Sequence, residues 1–178
     1  YTGYFAQSVN TSSPYRIKTN SGKLYIADWS DQSTAGVHVY NPNDGSIKQM
    51  FQGTHNASSG QITNNGVIVG GSTTGIAFYG EGADRKMYAF VEDYINGKKL
   101  VRYDLGLSDI WGTNASHVYD DISSKLGKNN VEIVPCDKGL WVCQNNYDSP
   151  THDANTPVLQ FMDFNGNIKY SSYNAGDN

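Results

Sequence analysis

Three polar residues close apolar runs that resemble one another: Asp28 after Leu24-Tyr-Ile-Ala27, Glu92 after Met87-Tyr-Ala-Phe-Val91, and Gln144 after Leu140-Trp-Val-Cys143. Oxygen-bearing side chains gathered at one edge of a fold can ligate a hard divalent cation such as calcium, or hydrogen-bond the hydroxyls of a sugar. Aromatic rings follow each of them closely, as Trp29, Tyr94 and Tyr147. A flat aromatic face beside Asp, Asn and Gln suits a carbohydrate ring, which offers C–H faces and a rim of hydroxyls. Further on, His152-Asp153 sets an imidazole next to a carboxylate, a pairing used for general bases and metal ligands. These eight residues are the candidate ligand-binding rim.

The remaining reactive residues form no catalytic constellation. The doublets Glu92-Asp93 and Asp120-Asp121 are adjacent in sequence, and adjacent strand residues face opposite sides. A glycosidase needs two carboxylates held across a sugar, which neither doublet provides by itself. His38 and His55 have no partner in the sequence around them, His117 sits in an irregular stretch, and no His-Glu-x-x-His spacing occurs. There is no Gly-x-Ser-x-Gly elbow. Gly70-Gly71 and Gly80-Glu-Gly82 lack the Lys-Ser/Thr step of a phosphate loop. Asn10, Asn56 and Asn114 fit the N-glycosylation pattern, which arises readily by chance in an Asn- and Ser-rich chain. Trp141 falls inside an apolar run and is expected in the core.

A repeating set of short strands must position these residues. Each of the three runs follows a polar turn, at Asn20–Lys23, Gly82–Lys86 and Asp137–Gly139, and each is answered by a second run: Val37–Tyr40, Leu100–Tyr103 and Leu159–Met162. Turns containing Gly follow, at Asn41–Gly45, Asp104–Gly106 and Asp163–Gly166. A strand-built period of about 50 to 60 residues is the signature of propeller-like blades. The predicted fold is all-β, with about three four-stranded antiparallel blades near 14–51, 75–106 and 131–174 in a single domain or part of one. Val118, Ile122 and Leu126, four residues apart with Gly127 after them, predict a short helix at 116–126. Two further strand-like stretches, at 4–9 and at 62–69 with Asn65-Gly66 as a hairpin signal, could hold a further blade.

The totals agree with this class. The chain has 178 residues, 13 of them Tyr and 19 Gly, and its net charge of −4 argues against a nucleic-acid or anionic-membrane surface. No stretch is long and apolar enough for a membrane span and no signal peptide is seen. The chain starts at Tyr1 without Met, so it is expected to be a mature or excised piece of something longer. A tight turn at Asp137–Gly139 would leave Cys136 and Cys143 at best diagonal, so two free and largely buried thiols are expected.

Lys-Leu-Tyr-Ile-Ala-Asp-Trp, then Gly-Val-His-Val-Tyr-Asn-Pro-Asn-Asp-Gly, resembles the β-propeller repeats of the NHL, YVTN and SMP-30-like type. Gly-Leu-Trp-Val-Cys-Gln with Val-Leu-Gln-Phe-Met-Asp-Phe-Asn-Gly resembles propeller domains of secreted Bacteroidetes surface proteins. The resemblance covers most of residues 14–174, and its motifs specify a fold. It implies a secreted or surface location and, since closed propellers have four to eight blades, a larger propeller supplying the rest of the ring. It leaves two functional classes. One is a non-catalytic module binding a glycan, a peptide or a partner domain, with no cofactor. The other is a lactonase-like or glycan-cleaving enzyme, with calcium or carboxylates at the rim. A structural spacer is the third.

Overall fold

The computed structural model describes residues 14–29, 36–52, 72–93, 97–107, 117–119, 131–144 and 157–173. They form twelve strands in three antiparallel sheets of four, each a simple meander. The first sheet holds β1 (Pro14–Asn20), β2 (Lys23–Asp28), β3 (Gly36–Tyr40) and β4 (Ile47–Gln52). The second holds β5 (Ser72–Tyr79), β6 (Lys86–Asp93), β7 (Gly97–Asp104) and β8 (His117–Tyr119). The third holds β9 (Val131–Cys136), β10 (Gly139–Gln144), β11 (Pro157–Asp163) and β12 (Ile168–Tyr173). A 3-10 turn at Gly82–Asp84 joins β5 to β6.

Side-chain alternation explains the stacking. Successive strand residues face opposite sides of a sheet, and β6 is apolar on both. Met87, Ala89 and Val91 pack with Tyr25, Ala27, Val37 and Val39 of the first sheet. Tyr88 and Phe90 pack with Ile133, Leu140, Val142 and Met162 of the third. The second sheet is therefore the middle layer, which is why its central strand reads as a continuous apolar run. The first strands lie side by side as well, with β5 against β1 on one flank and β9 on the other.

Polar contacts tie the layers at their edges. Arg85, 5 % exposed, donates from Nε to Gly106 O (3.0 Å) and from Nη1 to Ser21 Oγ (2.8 Å), linking the second sheet to a turn of the first. Arg16 and Lys18 on β1 reach past β5 to grip Glu132 on β9, with Arg16 Nε 2.7 Å from Oε2. Tyr119 donates from its hydroxyl to Phe164 O at 3.2 Å, joining the second and third sheets. The turns follow from Asn, Asp and Gly. Asp44 accepts the N–H of Ser46 while Gly45 takes φ +71°, and Asp163 accepts the N–H groups of Asn165 and Asn167.

Several sequence expectations are corrected. His117–Tyr119, inside the predicted helix 116–126, is the edge strand β8, with Val118 opposite Val101 of β7; residues 120–126 lie outside the described residues. Pairing with β7 overrides the local helical spacing at these three residues and supplies the fourth strand of the second sheet. Trp141 faces away from the second sheet and is only partly buried, so it is not core. Cys136 and Cys143 are free thiols, standing opposite Gly139 and Glu132, but Cys143 is exposed rather than buried. The stretches 4–9 and 62–69 lie outside the described residues.

Candidate ligand-binding rim

Asp28 is the last residue of β2 and is fully buried. Its Oδ2 lies 3.7 Å from Nε2 of His38, which is 4 % exposed. The β2–β3 register sets Ile26 opposite His38 and Asp28 opposite Gly36. The two polar side chains are thus diagonal neighbours on the face turned away from the second sheet. Gly36 brings no side chain between them. At this separation the contact is an ion pair when His38 is protonated, not a direct hydrogen bond.

Trp29 follows Asp28 and is half-buried, with its ring centroid 6.5 Å from that of Tyr15 and the planes inclined at 49°. A β-bulge creates the pair. Pro14 pairs with Asp28 and Arg16 with Ala27, so Tyr15 is the extra residue of β1 and its side chain is re-aimed. Tyr15 is 37 % exposed, and the Arg16 guanidinium lies 5.9 Å from its ring centroid. The result is a tilted aromatic pair, partly open to solvent, beside a buried carboxylate.

The same register recurs in the second sheet. Thr73 pairs with Val91 and Gly75 with Phe90, leaving Thr74 as the extra residue. Val91 therefore holds the register position of Asp28, and Glu92, opposite Ser72, stands one position further along. In the third sheet Gln144 pairs with Val131 with no bulge between that pair and the next. Asp28, Glu92 and Gln144 all stand near the end of a second strand, opposite the start of a first one. Tyr94, Tyr147, His152 and Asp153 lie outside the described residues.

Two neighbours of the predicted rim were missed in the sequence. Tyr15 is close to Trp29 through a bulge that no local pattern announces. His38, which has no partner along the sequence, meets Asp28 across a strand pair; the alternation of Ile26 and Asp28 opposite Val37-His38-Val39 was the available signal. Among the described residues, no group of three or more His, Cys, Asp or Glu side chains is placed to hold a metal ion, and no helix is long and apolar enough to cross a membrane. No protein-family model and no curated protein matches the chain.

Proposed function

We propose that the chain is a non-catalytic module of the β-propeller kind, secreted or held at a cell surface, that binds carbohydrate at the edge of the first sheet where Trp29 stands. The carrying observation is the tilted pair of Tyr15 and Trp29, 6.5 Å apart, set up by a bulge beside buried Asp28. Bulges that re-aim a side chain are over-represented at functional sites, and two inclined aromatic faces suit a saccharide. The propeller part of the reading is supported by three consecutive four-stranded meanders packed face to face with their first strands adjacent. A ring of four to eight blades then calls for further sheets, which the reading places in a larger propeller. A peptide or a partner domain is the other ligand class for the same edge.

A glycan-array screen of the purified chain tests this directly, with Tyr15→Ala and Trp29→Ala as controls. Binding should fall at least about tenfold in both variants while the melting temperature holds within a few degrees. Unchanged binding by both would remove the stacking site. The contact of Asp28 with His38 favours one second reading, a metal-dependent lactonase-like or glycan-cleaving site. A rise in melting temperature on adding calcium, abolished by Asp28→Asn, would move the assignment there.

A further inference from the structure

The edge that carries Tyr15 and Trp29 has a cationic flank. Arg16 and Lys18 stand two residues apart on β1, so their side chains leave the same face of the strand. Both meet one carboxylate, Glu132 of β9, whose Oε2 takes Arg16 Nε and whose Oε1 takes Lys18 Nζ. Two cations share one anion, and the cluster keeps an excess of positive charge. Arg16 also donates from Nη1 to Tyr15 O at 3.0 Å, and its guanidinium carbon lies 5.9 Å from the Tyr15 ring centroid. Among the described residues, Arg16 Nη2 meets no acceptor and Lys18 donates to Glu132 alone. The Arg16 and Lys18 side chains are 33 % and 36 % exposed, so the remaining donors are open to solvent.

We infer that the saccharide bound at this edge is acidic: a uronic acid whose ring packs on Tyr15 and Trp29 and whose carboxylate is taken by Arg16 and Lys18. This rests on the carbohydrate reading of the edge and adds the charge of the ligand. The cluster already holds a carboxylate in the required way, with one Glu132 oxygen on each cation. A second carboxylate finds the donors that Glu132 leaves over, and the planar guanidinium fork suits its two oxygens. Asp28, beside Trp29 in the chain, is fully buried with His38 at 3.7 Å, so it is shut off from direct contact with a ligand's carboxylate. The chain's net charge of −4 repels an anion at long range. Salt screens that field beyond about 8 Å at physiological ionic strength, so contact with the cluster decides.

An array of uronic-acid oligosaccharides beside their carboxyl-reduced, neutral counterparts tests the charge separately from the stacking. The chain should bind a uronate at least about tenfold more tightly than its reduced form. Arg16→Gln should cut that preference to about twofold or less, and Lys18→Gln should narrow it in the same direction should the Arg16 variant fold poorly. Glu132→Gln removes the competing carboxylate and should widen the preference, which a purely structural role of the cluster would not do. Tyr15→Ala and Trp29→Ala should weaken both forms alike. Equal binding of the two forms, still lost in Trp29→Ala, overturns the acidic ligand and leaves the carbohydrate reading standing. A uronate preference indifferent to both Arg16→Gln and Lys18→Gln overturns the assignment to this cluster, and tighter binding of sulfated glycans than of uronates overturns the carboxylate. No binding to any glycan removes both readings together.

Discussion

Arg85, immediately before β6, donates from Nη1 to Oδ1 of Asn20, the last residue of β1, at 3.1 Å, so a side chain beside the second sheet holds the β1–β2 turn of the first. Its Nη1 also meets Ser21, and its backbone carbonyl accepts the N–H groups of Leu105 and Gly106. Ser21 takes φ +48°, a conformation a non-glycine residue holds only where its surroundings fix it. Truncation removes this donor from Ser21 Oγ and Gly106 O, and leaves Asn20 Oδ1 with only the Ser21 hydroxyl, at 3.2 Å. Arg85→Ala should therefore cost about 2–4 kcal/mol in urea unfolding, and Arg85→Lys should recover only part, because an ammonium lacks the planar fork. A loss below about 1 kcal/mol would mean that this link is not structural.

Glu132 gives the β1–β9 link a pH dependence. Partial burial pushes its carboxyl up, but contacts with Lys18 and Arg16 together outweigh that and hold it below the ordinary 4.5. A carboxyl depressed in the folded state contributes stability above its unfolded value and loses it as pH falls through the folded one. The chain should lose this contribution on acidification from about pH 5 downward. Glu132→Gln should show a shallower slope over the same interval, although Asp163, held down to about 2 chiefly by Asn167, keeps some slope in both proteins. The difference at neutral pH should stay under about 1 kcal/mol and shrink in 1 M salt, since the pair is a third exposed. Identical pH–stability curves for the two proteins would dissociate Glu132 from the link.

Gly139 and Gly45 separate two reasons for a glycine. A Cβ on Gly139 would stand 2.0 Å from Met162 O and 2.9 Å from Asp163 Cα, both backbone of the neighbouring strand β11. Gly139→Ala must push β10 and β11 apart and should cost at least about 2 kcal/mol. Gly45, at φ +71° with open space around it, meets only the backbone penalty, so Gly45→Ala should cost about 1 kcal/mol. Chemical denaturation of both variants decides the point, and equal losses would contradict the close approach at Gly139.

What was legible in the sequence follows physical range. The runs at Leu24, Met87 and Leu140, their answering runs and the Gly-bearing turns carry strand information locally, and β2, β3, β6, β7, β10 and β11 stand where those runs lie. β8 was misread because Val118, Ile122 and Leu126 satisfy a helical spacing, whereas its pairing with Leu100–Arg102 is non-local. Tyr15 beside Trp29 depends on a bulge, and a bulge is a property of register rather than of composition. Trp141 read as core because its run is apolar throughout. That pattern matches burial on both faces in β2 and β6, whereas the outer face of β10 has no described sheet over it.

The same difference sets the last prediction. Ala27, Phe90 and Cys143 are equivalent positions of the three repeated runs, and they meet three environments. Ala27 is fully buried between the first and second sheets, Phe90 is fully buried against the third, and Cys143 is exposed on the outer face. Phe90→Ala removes a large ring from the contact holding Leu100, Ile133 and Leu140, and should cost about 3–5 kcal/mol. Ala27→Leu should cost about 1–3 kcal/mol by overpacking against Val37 and the second sheet. Cys143→Ala should change stability by less than about 0.5 kcal/mol. Guanidinium unfolding of the three variants measures the order directly. A Cys143→Ala loss as large as that of Phe90→Ala would mean that a further layer covers the outer face of the third sheet.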